Sequence, residues 1–313
     1  MIGFIIKRLL VALPTLLAVL TIVFLFVRVV PGDPALVILG DSATQEALAA
    51  LRTQLGLDKP IFVQYLEFMG MVLTGDLGRS MLTARPIVAE VADVLPYTIE
   101  LTVASLAIGV VFGVPLGILS ARRRNAWVDY ATRLLSLIGL SFPAFVSAVL
   151  LLLVFAIQLR WFPVISTAAL DDPGARLRAL ALPSFNLGLI MVAYVTRVTR
   201  SSMLGVLSED YIRTARAKGV PARMVVWRHA LRNALIPVVT VVGLYLGVLI
   251  GNSVLTEIVF NRPGLGKLIV GALNQRDYTM LQGLMVIYAF IIVLCNLMTD
   301  LTYGFIDPRV KRS

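Results

Sequence analysis

Residues 9–27, LLVALPTLLAVLTIVFLFV, carry no charged side chain. About 20 such residues are enough to cross a hydrocarbon core of about 30 Å as a helix. A spanning segment must close its own backbone hydrogen bonds, so helix is the form it takes. Similar runs occupy roughly 99–119, 134–157, 234–256 and 280–299, and a weaker one lies at 179–196, where Pro183 and Asn186 interrupt it. The expectation is an all-α integral membrane protein with six transmembrane helices. A β-barrel would show short alternating segments, and these runs are long and unbroken. Composition agrees: 58% of the 313 residues are hydrophobic and 15% charged, against roughly half and a quarter in soluble domains.

Lys7 and Arg8 ahead of the first run could belong to a cleavable signal peptide. The run exceeds the 7–15 residues of such an apolar core and no small-x-small site follows it, so a retained first helix is expected. The formal net charge is +10, and position decides what it means. Basic residues cluster at 7–8, 122–133, 213–232 and 309–312. The positive-inside rule places all four clusters in the cytoplasm, which six spans allow with both termini inside. The charge is thus an orientation signal, with no nucleic acid implied. Cys295, the single cysteine, lies in an apolar run and excludes a disulfide framework or thiolate metal site within the chain.

Between the first and second spans, "VVPGDPA" (29–35) reads as a turn-rich exit from the membrane. An amphipathic helix is expected at 44–57, with Leu48, Leu51 and Leu55 on one stripe, and another short helix ends at Gly75. Two spans carry glycine at every fourth position: Gly109, Gly113, Gly117, and Gly243, Gly247, Gly251. Such ridges let backbones approach closely. They serve static packing, or a smooth surface along which helices slide during gating; the two are compatible.

Several chemistries are missing. Glu100, Glu257 and Asp300 sit near predicted span ends, so no ionisable residue marks a mid-membrane ion or proton path. His229 falls on a basic polar helix and reads as an ordinary surface or interface histidine. "NRPGLGK" (261–267) imitates a phosphate-binding loop, but Asn261 replaces its first glycine and Leu268 its final hydroxyl. No ATPase motif is present, and no cofactor or metal is expected on this chain.

The stretch 208–237, SEDYIRTARAKGVPARMVVWRHALRNALIP, interrupts the apolar pattern. Its six cationic side chains between 213 and 232 would make insertion cost at least ~15 kcal/mol. Ser208 suits an N-cap, and Glu209 and Asp210 favour the positive end of the helix dipole. Lys218 falls in the last turn, Gly219 suits the left-handed position and Pro221 prevents continuation. A short helix over 209–218 is expected, with Tyr211, Ile212 and Ala215 on one side, and a second from about 221 into the fifth span. So short a helix is marginal alone in water. Docking into a partner is favoured over lying on anionic lipid, for which its apolar face is small.

At these residues the chain resembles the transmembrane permease subunits of ATP-binding-cassette importers, most closely their dipeptide, oligopeptide and nickel branch. Besides "EDYIRTARAKG…RHALRNALIPVV", the matching stretches are "RLLVALPTLLAVLTIVFLFVRVVPGDPA", "LGLDKP", "GDLGRS", "EIVFNRPGLGKLI", "RDY" and "DLTYGFIDPRV". The family's cytoplasmic loop is patterned Glu-Ala-Ala, three residues, Gly, nine residues, Ile-x-Leu-Pro. Anchored on Gly219, only Ala215, Gly219 and Leu231 keep it; Arg213, Thr214, His229 and Arg232 depart. The resemblance implies a type I importer permease fold, N-in and C-in, with a small extracytoplasmic cap region, in a bacterial inner membrane. It divides the chain into a basic flank and first helix (1–30) and an extracytoplasmic segment (31–97). A permease core of five helices (98–304) follows, with the coupling loop at 201–233 and a cytoplasmic tail (305–313). The ATPase-contacting positions it implies are Tyr211, Ile212, Ala215, Arg216, Lys218 and Gly219. The implied partners are a second homologous permease, two ATPase subunits or domains that carry ATP and Mg, an extracytoplasmic solute-binding protein and the bilayer. Small peptides are the implied cargo, with glutathione, nickel or another small solute as the alternative. A stand-alone secondary transporter is the reading from another class.

Overall fold

The computed structural model describes residues 2–29, 34–39, 43–54, 56–166 and 172–306. Residues 30–33 of the expected turn, Leu55 of the expected stripe and 307–313 of the expected tail lie outside them. Among the described residues no strand forms, apart from one isolated bridge between Arg79 and Pro86. The helices are α1 (Ile2–Val29), α2 (Pro34–Leu39), α3 (Gln45–Gln54), α4 (Ile61–Thr74), α5 (Ile87–Arg122), α6 (Trp127–Ser141) and α7 (Ala144–Leu151). They continue as α8 (Pro173–Leu207), α9 (Asp210–Ala217), α10 (Ala222–Met224), α11 (Leu231–Val259), α12 (Leu265–Asn274) and α13 (Tyr278–Ile306). Two stretches take the wider π geometry: Leu152–Gln158, which continues α7, and Val225–Ala230, which joins α10 to α11.

Among the described residues five helices are long and apolar enough to cross a membrane: Ile6–Arg28, Ile87–Arg122, Pro173–Leu207, Ala222–Val259 and Tyr278–Thr302. The expected third span is not one straight helix. It is α6 followed by Ala144–Gln158, bent by 102°. The bend sits at Phe142, which is extended (φ −82°, ψ 127°), ahead of Pro143. A proline disfavours the helical conformation in the residue before it and has no N–H to donate, so the apolar run breaks there.

The weak fourth run is corrected in the opposite direction. Pro183 and Asn186 interrupt nothing: α8 runs through both for 35 residues, and both are buried. Its best membrane-length window is 61% buried, against 22–39% for the other four. The helix is less apolar because protein, more than lipid, surrounds it.

The described residues fall into two compact units, one within Tyr97–Pro263 with the start and the end of the chain (to residue 5 and from residue 295), the other within Ile6–Pro96 and Gly264–Leu294. In the first unit the glycine ridge of α5 packs on α8. A Cβ on Gly109 would overlap Met191 Cγ, one on Gly113 would lie 2.7 Å from Val195 Cβ, and one on Gly117 2.7 Å from the Thr196 carbonyl oxygen. Thr196 Oγ1 also donates to the Gly113 carbonyl at 3.2 Å. The second ridge behaves differently. Among the described residues Gly243 sits against Thr299, Gly247 has only Asn296 Oδ1 at 3.8 Å, and Gly251 has nothing within 4 Å.

In the second unit Leu20, Val23 and Phe24 of α1 pack with Phe68 of α4 and Val286 of α13. Gly75 ends α4 in the left-handed conformation (φ 74°) at the expected position. Leu48 of α3 is buried and Leu51 partly so. The stretch 75–80 folds onto the start of α13: Ser80 Oγ donates to Asp277 Oδ2 at 2.6 Å and accepts from the backbone N–H groups of Leu82 and Thr83.

Candidate functional site

The basic interruption forms the short helix α9 at the end of α8. Its boundaries follow other residues than expected. Ser208 is not an N-cap: it closes α8, its hydroxyl donating to the Gly205 carbonyl at 2.6 Å. Glu209 takes the extended N-cap conformation (φ −69°, ψ 148°) and makes no side-chain cap bond. The far end matches expectation. Lys218 is the C-cap and Gly219 turns left-handed at φ 80°, its N–H donating to Arg216 O.

Ile212 anchors this helix. It is wholly buried in a cluster with Ile118 and Ala121 of α5, Met203 of α8, Val225, Val226 and Ala230 of the π turn, and Ala234 of α11. Burying an isoleucine side chain is worth about 1.5–3 kcal/mol. Ala215 is partly buried, while Arg216, Lys218 and Gly219 are exposed. Tyr211 keeps 41% exposure, and its hydroxyl accepts from Asn233 Nδ2 at 2.7 Å. Met224 and Trp227 are exposed large hydrophobic residues on the segment that follows. The structure thus separates Ile212, facing inward, from the other five positions grouped with it. His229 lies in the π turn, partly buried.

Two ion-pair networks hold the same unit together, and neither was read from the sequence. Asp129, fully buried in the first turn of α6, accepts from Arg200 Nε at 2.6 Å and Arg200 Nη2 at 2.8 Å. It also accepts from Ser120 Oγ at 2.6 Å and from the Asn125 N–H at 3.0 Å. That one carboxylate ties α5, α6 and α8. Toward the other end of α8, Arg262 is 1% exposed and donates to Glu100 Oε2 at 3.0 Å, while Arg176 pairs with Glu100 Oε1. Both guanidinium groups lie 5.4 Å from the Tyr97 ring centre. Burial lowers the Arg262 pKa from its ordinary value, and the Glu100 charge works against that shift. Glu257, also buried, accepts from Thr98 Oγ1 at 2.7 Å and Ser253 Oγ at 3.2 Å. The loop that imitated a phosphate-binding motif therefore spends its arginine on an internal network.

Residues 113–312 match the family described as binding-protein-dependent transport system inner membrane component. Residues 1–102 match the N-terminal family of the same membrane components. The chain belongs to this permease family.

The permease is 43% identical over 311 residues to the glutathione transport system permease protein GsiC of Salmonella choleraesuis, with 99% of both chains covered. It is 42% identical over 332 residues to the dipeptide transport system permease protein DppB of Alkalihalophilus pseudofirmus, covering 99% of this chain and all of that one. Its fold is similar to that of the inward-facing MetNI methionine ABC transporter. The TM-score is 0.57 at 18% identity, with 69% of this chain and 96% of that chain covered. It is the permease of an ATP-binding-cassette importer, a multi-pass membrane protein with the type I permease fold.

Within the permease, some of the missed residues left a signal. Asp129 is the lone acid between Arg122 and Arg133, a place where an isolated carboxylate has cations within reach. Arg197 and Arg200 stand at the end of an otherwise apolar run, so they need a partner or a polar surface.

Proposed function

We propose that the permease forms half of a translocation pathway for small peptides, glutathione among them, paired with a second homologous permease. A solute-binding protein delivers the cargo, and two ATPase subunits or domains carry ATP and Mg. The peptide class rests on the relatives named for glutathione and dipeptide transport. In this reading α9 is the coupling helix, α9 and both termini are cytoplasmic, and the chain divides at 30/31, 97/98 and 304/305.

The observation that carries the coupling role is the division of α9 into two faces. Ile212 is at 0% exposure inside the permease while Tyr211, Arg216, Lys218 and Gly219 remain outside it. A helix held by one buried side chain, with an aromatic and cationic surface outward, suits a cleft on another protein. ATP binding can drive the spans only through contacts that differ between two states, and the exposed face of α9 supplies them. The open edge at Gly247 and Gly251 supports placing that part of the second ridge against the partner permease or the pathway, whereas the first ridge is closed by α8.

Co-purification of the permease with a soluble ATPase, and ATP-dependent uptake of labelled dipeptides and glutathione into proteoliposomes, test this reading. Uptake driven by an ion gradient with no ATPase present would overturn it. Orientation is tested with Cys295→Ser as background: a cysteine introduced at Ala217 should react with an impermeant maleimide only from the cytoplasmic side.

A further inference from the structure

The groove between α6 and α8 has a composition that neither coupling nor packing explains. It is an open groove of about 660 Å³ lined by Arg133, Arg197 and the Asp129-paired Arg200, with hydroxyls from Ser136, Thr132 and Ser201. The two helices run antiparallel. Asp129 meets Arg200 at one end of their contact, and a Cβ on Gly139 would touch that of Ala193 further along. Arg133 lies four residues past Asp129 and Arg197 three before Arg200, about 6 and 4.5 Å along their axes in the same direction. The two arginines therefore reach the groove at one depth.

Among the described residues neither has an acidic partner. Asp129 is the sole acid in α6, its carboxylate is committed to Arg200, and α8 contains no acidic residue. Arg133 otherwise lies 5.9 Å from the centre of the Tyr130 ring. The outer surface of α6 is graded along its length. Trp127 and Tyr130 are exposed in its first turn, then comes Arg133, then Leu134, Leu135, Leu137 and Ile138, all exposed. Amphipathic aromatic rings favour the headgroup level of a bilayer, with alkyl side chains facing the acyl region. That order puts two unpaired guanidinium groups at phosphate depth, above a surface suited to acyl chains.

We propose that this groove holds the phosphate of an anionic phospholipid between Arg133 and Arg197, with its acyl chains along the exposed leucines of α6. Basic pockets between spanning helices suit such headgroups, and guanidinium matches phosphate in geometry. The assignment to the cytoplasmic leaflet rests on the cytoplasmic placement of α9; the headgroup chemistry does not.

The test uses the full permease in its assembled transporter, exchanged into detergent with phosphatidylglycerol or phosphatidylcholine, with bound lipid counted by native mass spectrometry. Phosphatidylglycerol should be retained selectively. Arg133→Gln/Arg197→Gln should lower retention about 10- to 30-fold, Arg133→Lys/Arg197→Lys should keep most of it, and Arg122→Gln/Arg124→Gln should change nothing. Equal retention by wild type and the Gln pair overturns the proposal. So does displacement by inorganic phosphate at equal concentration, which makes the groove a soluble-anion site. Loss of the partner permease from the Gln pair with lipid retention unchanged also overturns it, because the groove is then a subunit interface. Should the Gln pair fail to fold, the Lys pair decides: loss of selectivity for phosphatidylglycerol in it refutes a charge-based site. These outcomes are independent of ATPase coupling, which co-purification reads separately.

Discussion

Ser80 donates a 2.6 Å hydrogen bond to Asp277, a residue 197 positions further along the chain. It joins two of the short stretches on which the family resemblance rests, GDLGRS and RDY. Asp277 also caps α13, its other carboxylate oxygen accepting from the Met280 N–H at 3.0 Å. Ser80→Ala removes the donor and leaves the buried Asp277 carboxylate short of a partner, a cost of about 1–3 kcal/mol. Asp277→Ala should cost about 2–3 kcal/mol, since the cap is lost as well. Thermal unfolding in detergent should rank wild type above Ser80→Ala, and Ser80→Ala above Asp277→Ala.

Asp129 has four hydrogen bonds and no exposure, so its loss leaves Arg200 as a charge without a counterion. Removing one member of a buried pair typically costs about 3–5 kcal/mol. Asp129→Asn should lower the unfolding midpoint sharply, and Asp129→Asn/Arg200→Gln should recover part of the loss. A double-mutant cycle with no coupling energy would contradict the network.

The two glycine ridges should respond differently to one added methyl group. Gly117→Ala places a Cβ 2.7 Å from a backbone oxygen, which cannot swing aside as a side chain can. It should force α5 from α8 and reduce the amount of folded protein recovered from membranes, at about 1–3 kcal/mol for overpacking. Gly251→Ala meets nothing within 4 Å among the described residues and should leave folding intact. A transport defect in that variant would place Gly251 against a partner or the pathway.

Gly219 is left-handed and its N–H is bonded to Arg216 O. Gly219→Ala should cost about 1–2 kcal/mol of local strain. Gly219→Pro removes the N–H and fixes φ near −65°, so the end of α9 must unwind. The expected phenotype is ATP hydrolysis without uptake, in a protein that still inserts. Normal uptake by Gly219→Pro would remove α9 from the coupling role.

Legibility in the sequence followed the kind of force involved. Spans that meet lipid were readable because a bilayer demands length and apolarity together, as in 9–27. α8 read as weak because its surroundings are protein, so Asn186 can be buried, accepting from Ser147 Oγ at 2.7 Å. The bend at Phe142–Pro143 lay inside a run uniform enough that hydropathy concealed it. At α9, Gly219 was readable from local sterics, whereas Ser208 was misplaced because α8 extends to its door. The Asp129–Arg200 and Glu100–Arg262 pairs join residues 71 and 162 positions apart. No local pattern encodes such pairs.

The burial of Ile212 has a mechanical corollary. The side chain is clasped at once by α5, α8, the π turn and α11. Close-packed interiors have little compressibility and transmit strain, so a tug on α9 has no slack to take up before the long helices feel it. In the coupling role proposed for α9, a rigid bracket of this kind would behave as a bell-crank: a small stroke at one arm, delivered from outside the membrane, would become rotation at arms that lie within it.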